Sequence, residues 1–205
     1  MANPRPQVGI ALLNWNGYDD TARCLSSLRE SRFRPALILV FDNGSADGSA
    51  ERLKTEFPEI ELVLGGENHG FSGGNNRAAK QLLDAGMDYV WVLNNDTQVE
   101  PGCLGSLVRI LEEDPGIGAA SAKIWFMDEP RIFGYAGSAF NRWTFHSDFR
   151  GLRDADVGQY DAAEDVEILS GCCMLIRAET LREIGLFNRA FFAYAEDIDW
   201  SLRAR

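Results

Sequence analysis

Apolar and polar positions fall into short blocks that alternate along the first half of the chain. Val8 to Leu13 is an apolar run closed by Asn14-Trp15-Asn16-Gly17, the pattern of a buried strand entering a turn. Tyr18, Ala22, Leu25 and Leu28 then recur at helical spacing as far as Ser31, with Asp19, Asp20 and Thr21 as capping chemistry at the start. Ala36 to Phe41 predicts a second strand, and Asp42-Asn43-Gly44-Ser45 a tight turn. Asp47 to Phe57 predicts a helix and Ile60 to Leu64 a third strand. Gly65 to Asn76 holds five glycines and reads as a loop, ahead of a helix over Ala78 to Ala85. Tyr89 to Leu93 predicts a fourth strand and Leu104 to Leu111 the helix after it.

Strand and helix thus alternate four times, which predicts an α/β fold with a mainly parallel, Rossmann-like sheet covered by helices on both faces. From about Ile117 the pattern changes. Gly118 to Lys123 reads as a fifth strand, and Phe126 to Ala163 as a loop-rich region with one or two strands. Val166 to Leu169 and Cys172 to Ile176 read as strands, and Ala178 to Gly185 as a short capped helix. Phe187, Phe191, Phe192 and Tyr194 are expected mostly in the core. The helical pattern that starts at Asp197 runs to Arg205 without a glycine, asparagine or proline exit, which predicts a helix cut short.

Composition narrows the function classes. Hydrophobic residues make 45% of the chain and charged residues 25%, so disorder, collagen and coiled coil are excluded for the whole. The 205 residues carry 20 lysines and arginines against 31 aspartates and glutamates, a formal charge of −11. Such a surface repels phosphate backbones and argues against sequence-independent nucleic-acid binding. A small anionic substrate stays open, because local donors or a bound metal invert the local field. The apolar runs fall far short of the ~20 residues of a spanning helix, and Met1 to Gln7 lacks the apolar segment of a secretory signal. Cys24, Cys103, Cys172 and Cys173 form no C-x-x-C pair, and His69 and His146 are the only histidines, so no zinc site follows from spacing. Reduced, structural thiols in a cytoplasmic protein are expected, with Cys172 and Cys173 as two small buried residues.

In parallel sheets ligands sit at the carboxyl ends of the strands. Here those segments are Asn14–Gly17, Asp42–Ser45 and Asn94–Thr97, all polar. Asp96 can hold a hard divalent cation whose other ligands are phosphate oxygens and water, although Asn94-Asn95-Asp96-Thr97 alone also reads as an Asx turn. Asp42 reads as a turn residue or as an acceptor for a nucleoside. Asn68-His69-Gly70-Phe71-Ser72-Gly73-Gly74-Asn75-Asn76 is neither a Walker A nor a G-x-G-x-x-G sequence. Its glycines would let backbone approach a ligand, and the helix after it offers free amides to phosphate; alone it is a flexible loop. Glu196, Asp197 and Asp199 either complement a helix dipole or supply a general base with a neighbour to orient it. Repulsion among the three disfavours ionisation of at least one.

Taken in order, the motifs say more than they do singly. V-G-I-A-L-L-N-W-N-G from Val8, V-F-D-N-G-S-A-D-G-S from Val40, N-H-G-F-S-G-G-N-N from Asn68, V-L-N-N-D-T from Val92, S-G-C-C-M-L-I-R from Ser170 and F-F-A-Y-A-E-D-I-D from Phe191 resemble family 2 glycosyltransferases, and within them the rhamnosyltransferase-like branch. The resemblance implies a single GT-A domain over 1–205, with a nucleotide-sugar-binding half at about 8–115. Its acceptor-side half, about 116–205, would be incomplete at the C-terminus. It implies inverting, metal-assisted transfer from a nucleoside diphosphate sugar (dTDP-rhamnose first, a UDP-sugar next) to a glycan or lipid-linked hydroxyl, as in polysaccharide biosynthesis. The setting would be the cytoplasm, including peripheral association with the inner face of the membrane. By the same resemblance Leu13, Asn14, Trp15, Asp42, Asn43 and Ser45 lie at the nucleoside. Gly70, Phe71, Gly73, Gly74 and Asn75 flank base, ribose and pyrophosphate. Asn94, Asn95 and Asp96 stand in place of the family's D-x-D, with Asp96 the ligand of Mn2+ or Mg2+, and Asp197 is the general base with Glu196 beside it. Asn94 replaces the first carboxylate, and Trp15 stands where tyrosine is commoner. Two other readings are a binding module of this fold without turnover and a nucleotidyltransferase. The latter wants a glycine-rich loop with a basic residue where this chain has Asn14-Trp15-Asn16-Gly17.

Overall fold

Alternate residues of each central strand feed opposite faces of one sheet, and both faces are apolar, so helices must cover both. The computed structural model describes residues 5–144 and 146–205. The first four residues of the polar stretch Met1–Gln7, and Phe145 in the loop-rich region, lie outside them. In chain order the elements are β1 (Val8–Asn14), α1 (Tyr18–Arg29), β2 (Leu37–Asp42), α2 (Ser49–Glu56), β3 (Glu61–Leu64), α3 (Gly70–Asp84), β4 (Tyr89–Asn94) and α4 (Cys103–Glu113). Then come β5 (Ala119–Ser121), β6 (Ile124–Trp125), β7 (Phe133–Tyr135), β8 (Ser138–Asn141), β9 (His146–Phe149), β10 (Cys173–Arg177), α5 (Ala178–Ile184) and α6 (Glu196–Arg203). No helix among the described residues is long and apolar enough to cross a membrane.

The main sheet has the order β3-β2-β1-β4-β10-β5. β3, β2, β1 and β4 run parallel, with Asn14 opposite Asp42 and Leu13 opposite Asn94. β10 is antiparallel to both neighbours and sets Cys173 opposite Leu93. One face carries Ile10, Leu12, Trp91 and Leu93 against α1, α2 and α4; the other carries Ala11, Val90, Val92 and Met174 against α3, α5 and α6. α6 is fixed from several sides. Trp200 is fully buried and its Nε1 donates to the Gly185 carbonyl at 3.0 Å, while Arg203 donates to the carbonyls of Ile184 and Leu186.

Five expectations change. Gly70 to Asn76 is not a loop: it forms the first two turns of α3. Glycine is a poor helix former, but a Cβ at Gly74 would collide with the Leu13 side chain, and one at Gly70 with the carbonyl and ring of Phe192. Close packing outweighs propensity here. Val166 to Leu169 is not a strand and contributes only one bridge, Ile168 with Ser138. α1 starts after Gly17 without a side-chain cap; Thr21 instead donates from Oγ1 to Asn14 Oδ1 at 2.7 Å. Of the aromatic run only Phe187 is core, whereas Phe192 and Tyr194 are 62% and 88% exposed. Phe126 to Ala163 contains three strands (β7, β8 and β9) where one or two are expected.

Candidate functional site

The ends of β1, β2 and β4 are tied by one buried chain of polar side chains. Asn14, fully buried, donates from Nδ2 to Asp42 Oδ2 (2.8 Å), Ser49 Oγ (2.9 Å) and Ser45 Oγ (3.1 Å). Its Oδ1 accepts from Thr21, whose hydroxyl accepts in turn from Asn95 Nδ2 at 2.8 Å. Asp42 also accepts the Ser45 N–H at 2.9 Å, so both carboxylate oxygens are engaged from within. What this edge presents to solvent is the turn itself, led by Trp15, which is 55% exposed.

Asn43 carries the link onward to α3. Its Nδ2 donates to Asn68 Oδ1 and the Gly70 carbonyl, and its Oδ1 accepts the His69 N–H at 3.0 Å. Gly70 has φ +73°, a conformation that favours glycine, and the Phe71 N–H donates to the Phe192 carbonyl at 2.7 Å. Gly73 and Gly74 face His69 and Leu13, so these glycines serve close approach of chain to chain. Asn75 is buried in the same helix and donates to the Phe71 carbonyl.

The far side of the site is built by β10, whose first residues arrive beside the end of β4. The Asn94 N–H donates to the Cys172 carbonyl at 2.9 Å, and the Gly171 N–H donates to Asp197 Oδ2 at 2.9 Å. Two residues therefore bridge the β4 turn to the start of α6. Burial pushes the Cys172 thiol up to about 12, and the charges of Asp96 and Asp197 both add to the shift.

Glu196 is 5% exposed, and burial first, then the Asp197 charge, holds its carboxyl above the usual carboxylate range. Repulsion alone was the cause expected from the sequence; desolvation is the larger one. Asp199 is neutralised by Arg203 at 2.9 Å. Tyr194 and Ala195, just ahead of Glu196, sit at φ +69° and +68°, a conformation that costs about 1–3 kcal/mol for each such residue.

Asp96 is exposed, and Asn94 Oδ1 on the same turn is buried without a partner. Among the described residues no group of three or more His, Cys, Asp or Glu can hold a metal. One carboxylate and an amide oxygen suit a hard cation that brings phosphate oxygens and water with it, not a closed protein cage. An open cleft of about 480 Å³, lined by Phe41, Gly65, His69, Arg77 and Lys80 among others, lies beside β2, β3 and α3 and shares only His69 with the residues above. Sequence reasoning gave Thr21 only as a helix cap and assigned no role to Ser49 or Gly171; only the sheet order brings the three to this edge.

Comparison with known proteins adds independent findings. Residues 10–185 match the family model described as glycosyl transferase family 2. An N-acetylglucosaminyl-diphospho-decaprenol L-rhamnosyltransferase of Mycobacterium tuberculosis is 30% identical over 202 residues, covering 86% of this chain and 63% of that protein. The low-salt glycan biosynthesis hexosyltransferase Agl10 of Haloferax volcanii is 28% identical over 203 residues, covering 97% of this chain and 61% of that one. The chain therefore spans about three fifths of the length of these relatives. Among solved structures, the mannosyltransferase PcManGT of Pyrobaculum calidifontis, in complex with GDP-Man and Mn2+, shares the fold at a TM-score of 0.62 and 19% identity, over 97% of this chain and 51% of that one.

Proposed function

The chain belongs to glycosyl transferase family 2, and from that premise we propose that it transfers a sugar, with inversion, from a nucleoside diphosphate donor to a hydroxyl of a glycan or lipid-linked acceptor. The observation that carries this reading is the single edge of the sheet at which Gly171 and Cys172 link Asp197 to Asn94 of the β4 turn, two residues before Asp96. Donor diphosphate would meet the β4 turn at Asp96, and the acceptor hydroxyl would meet Asp197. Nucleoside would lie over the turns at Trp15 and Asp42, against the start of α3. A divalent cation at Asp96, when bound, neutralises charge on the departing diphosphate.

Asp197 is held by the Gly171 N–H and takes the proton of the attacking hydroxyl. As the acceptor oxygen bonds to the anomeric carbon, the bond to the diphosphate oxygen breaks. One displacement inverts the centre, so no protein nucleophile is required. For the donor, dTDP-rhamnose comes first, supported by the Mycobacterium tuberculosis relative named an L-rhamnosyltransferase, with UDP-sugars next. That relative's name also supports a lipid-linked acceptor.

The test has two parts. Nucleoside diphosphates and their sugars, with manganese or magnesium, should raise the thermal midpoint, since they bind the folded chain. Asp197→Asn should leave donor binding nearly unchanged and lower transfer by about 10²-fold or more, the range of a lost general base. Transfer at the unmutated rate would put the base elsewhere, and donor binding without sugar release in the unmutated chain would favour a binding module.

A further inference from the structure

Two backbone N–H groups hold the Asp197 carboxylate. Ile198, the next residue, donates to Oδ1 at 2.8 Å, and Gly171 donates to Oδ2 at 2.9 Å. A lone pair on each oxygen remains for an incoming hydroxyl. The Ile198 donor travels with α6, so it is Gly171 that refers the carboxylate to the rest of the sheet edge. A Cβ at Gly171 would lie 3.3 Å from Asp197 Cβ and 3.4 Å from Oδ2, so glycine lets the backbone come this close. Cys172, next in the chain, accepts from the Asn94 N–H at 2.9 Å. The separation of Asp197 from the β4 turn is therefore set by where the chain around Gly171 lies along α6.

That placement has a register. Arg205 donates to the Glu167 carboxylate, the Leu169 N–H donates to Ser201 Oγ at 3.1 Å, and the Gly171 N–H donates to Asp197. Every second residue of the segment 167–171 thus meets every fourth residue along α6 and its end, in the opposite direction. Two residues of strand-like chain advance about 6.6 Å and four residues of helix about 6 Å, so the two repeats keep step. On its other side the segment is fastened to β7 and β8. Tyr135 donates to the Ile168 carbonyl at 2.8 Å, and the N–H groups of Glu167 and Ile168 donate to the Ser138 carbonyl at 3.1 and 2.9 Å. Ser201 is the middle rung, one turn after Asp197, and it is buried. The outer rung, Arg205 with Glu167, has its arginine exposed and holds the register less firmly.

We infer that Ser201 is a positioning residue for Asp197: by holding the Leu169 N–H one helical turn along, it keeps the Gly171 N–H in register with the carboxylate. It thereby sets where the carboxylate stands relative to the β4 turn. This rests on the reading of Asp197 as the general base. Ser201 acts through the segment 167–171 and not on the substrate. A misplacement of about 1 Å at a reacting group can cost about 10²-fold in rate, so a lost rung one turn away is enough to be read in turnover.

The experiment takes Ser201→Ala and Ser201→Thr, each alone and combined with Asp197→Asn. Sugar release from dTDP-rhamnose and UDP-glucose is followed in manganese with water as acceptor, and affinity for dTDP and UDP by calorimetry. Hydrogen exchange of the Gly171 amide is measured alongside. In Ser201→Ala, kcat should fall about tenfold or more, while KM for the donor and affinity for the free nucleotide stay within about twofold. Gly171 amide exchange should be at least tenfold faster. Ser201→Thr keeps the hydroxyl and should recover most of both losses. On the Asp197→Asn background Ser201→Ala should change kcat by less than about twofold, because a residue acting through the base has nothing left to act on. Nucleotide affinity lost in step with kcat, or a full tenfold loss on the Asp197→Asn background, overturns the proposal in favour of a general structural role. An unchanged kcat in Ser201→Ala sinks the positioning role alone, provided Asp197→Asn shows its own loss. Asp197→Asn at the unmutated rate brings down the base reading and the positioning role with it. If the unmutated chain releases sugar from neither donor, the exchange rate decides: no acceleration at Gly171 in Ser201→Ala overturns the proposal, and acceleration that Ser201→Thr reverses supports it.

Discussion

Replacing Asn14 by alanine tests whether one buried side chain holds three loops of the site together. Asn14 satisfies the Asp42 carboxylate at 2.8 Å, the Ser49 hydroxyl at 2.9 Å and the Thr21 hydroxyl at 2.7 Å, all in the interior. A hydrogen bond to a charged group contributes about 1.5–3 kcal/mol and one to a neutral group about 1 kcal/mol. Asn14→Ala should therefore cost about 3–5 kcal/mol. At 2–4 °C per kcal/mol for a chain of this size the midpoint should fall by about 6–20 °C. Urea unfolding at pH 7 checks this through a lower midpoint at unchanged slope. A loss below about 1 kcal/mol would refute the idea that Asn14 organises the edge. Asn14→Asp sharpens the test by setting a second carboxyl against Asp42. Repulsion raises the folded-state pKa of the pair above the unfolded value near 4. The destabilisation then grows as pH rises through that range and is relieved below it, so Asn14→Asp should lose more stability at pH 7 than at pH 4.

Other outcomes follow from the same geometry. Asp42→Ala should weaken a free nucleoside diphosphate and its sugar conjugate by similar factors in titration calorimetry, and loss confined to the conjugate would count against a nucleoside role. Asp96→Ala should lower donor turnover in manganese by more than threefold in a sugar-release assay; a smaller effect removes Asp96 as metal ligand. Cys24 and Cys172, with thiols pushed up to about 12 by burial, should resist alkylation at pH 8 in the folded chain, and activity should not depend on reductant. Rapid labelling of either by mass spectrometry would contradict their structural role.

The parallel core was legible because its strands are apolar on both faces, as Val8–Leu13 and Tyr89–Leu93 are, and because polar turns follow them at once. The start of α3 was not. Glycines at 70, 73 and 74 read as a loop by propensity, and their reason lies in Leu13, His69 and Phe192, which are remote in sequence or belong to another element. Val166 to Leu169 looks like a strand, yet its backbone bonds go elsewhere. Glu167 and Ile168 donate to the Ser138 carbonyl, the Ile168 carbonyl accepts from Tyr135, and the Leu169 N–H goes to Ser201 Oγ. At the site, the aspartates stood out by type and place. Ser201 did not, because its bond to the Leu169 N–H is a property of the packed helix and leaves no mark on the pattern.

The reversed direction of β10 has a consequence for how such a chain changes over time. β5 and β10 are paired neighbours, with Ser121 opposite Met174, so everything from Ala122 to Cys172 leaves the sheet and returns to it at one place. That excursion is closed at its base like a cassette. Doubling the length of a flexible segment closed in this way costs only about 0.6 kcal/mol of closure entropy. Length there can change at small cost while the returning residues Gly171 and Cys172 stay pinned between Asn94 and Asp197. One unchanged edge of the sheet can thereby carry many different excursions, each offering its own surface to whatever approaches Asp197.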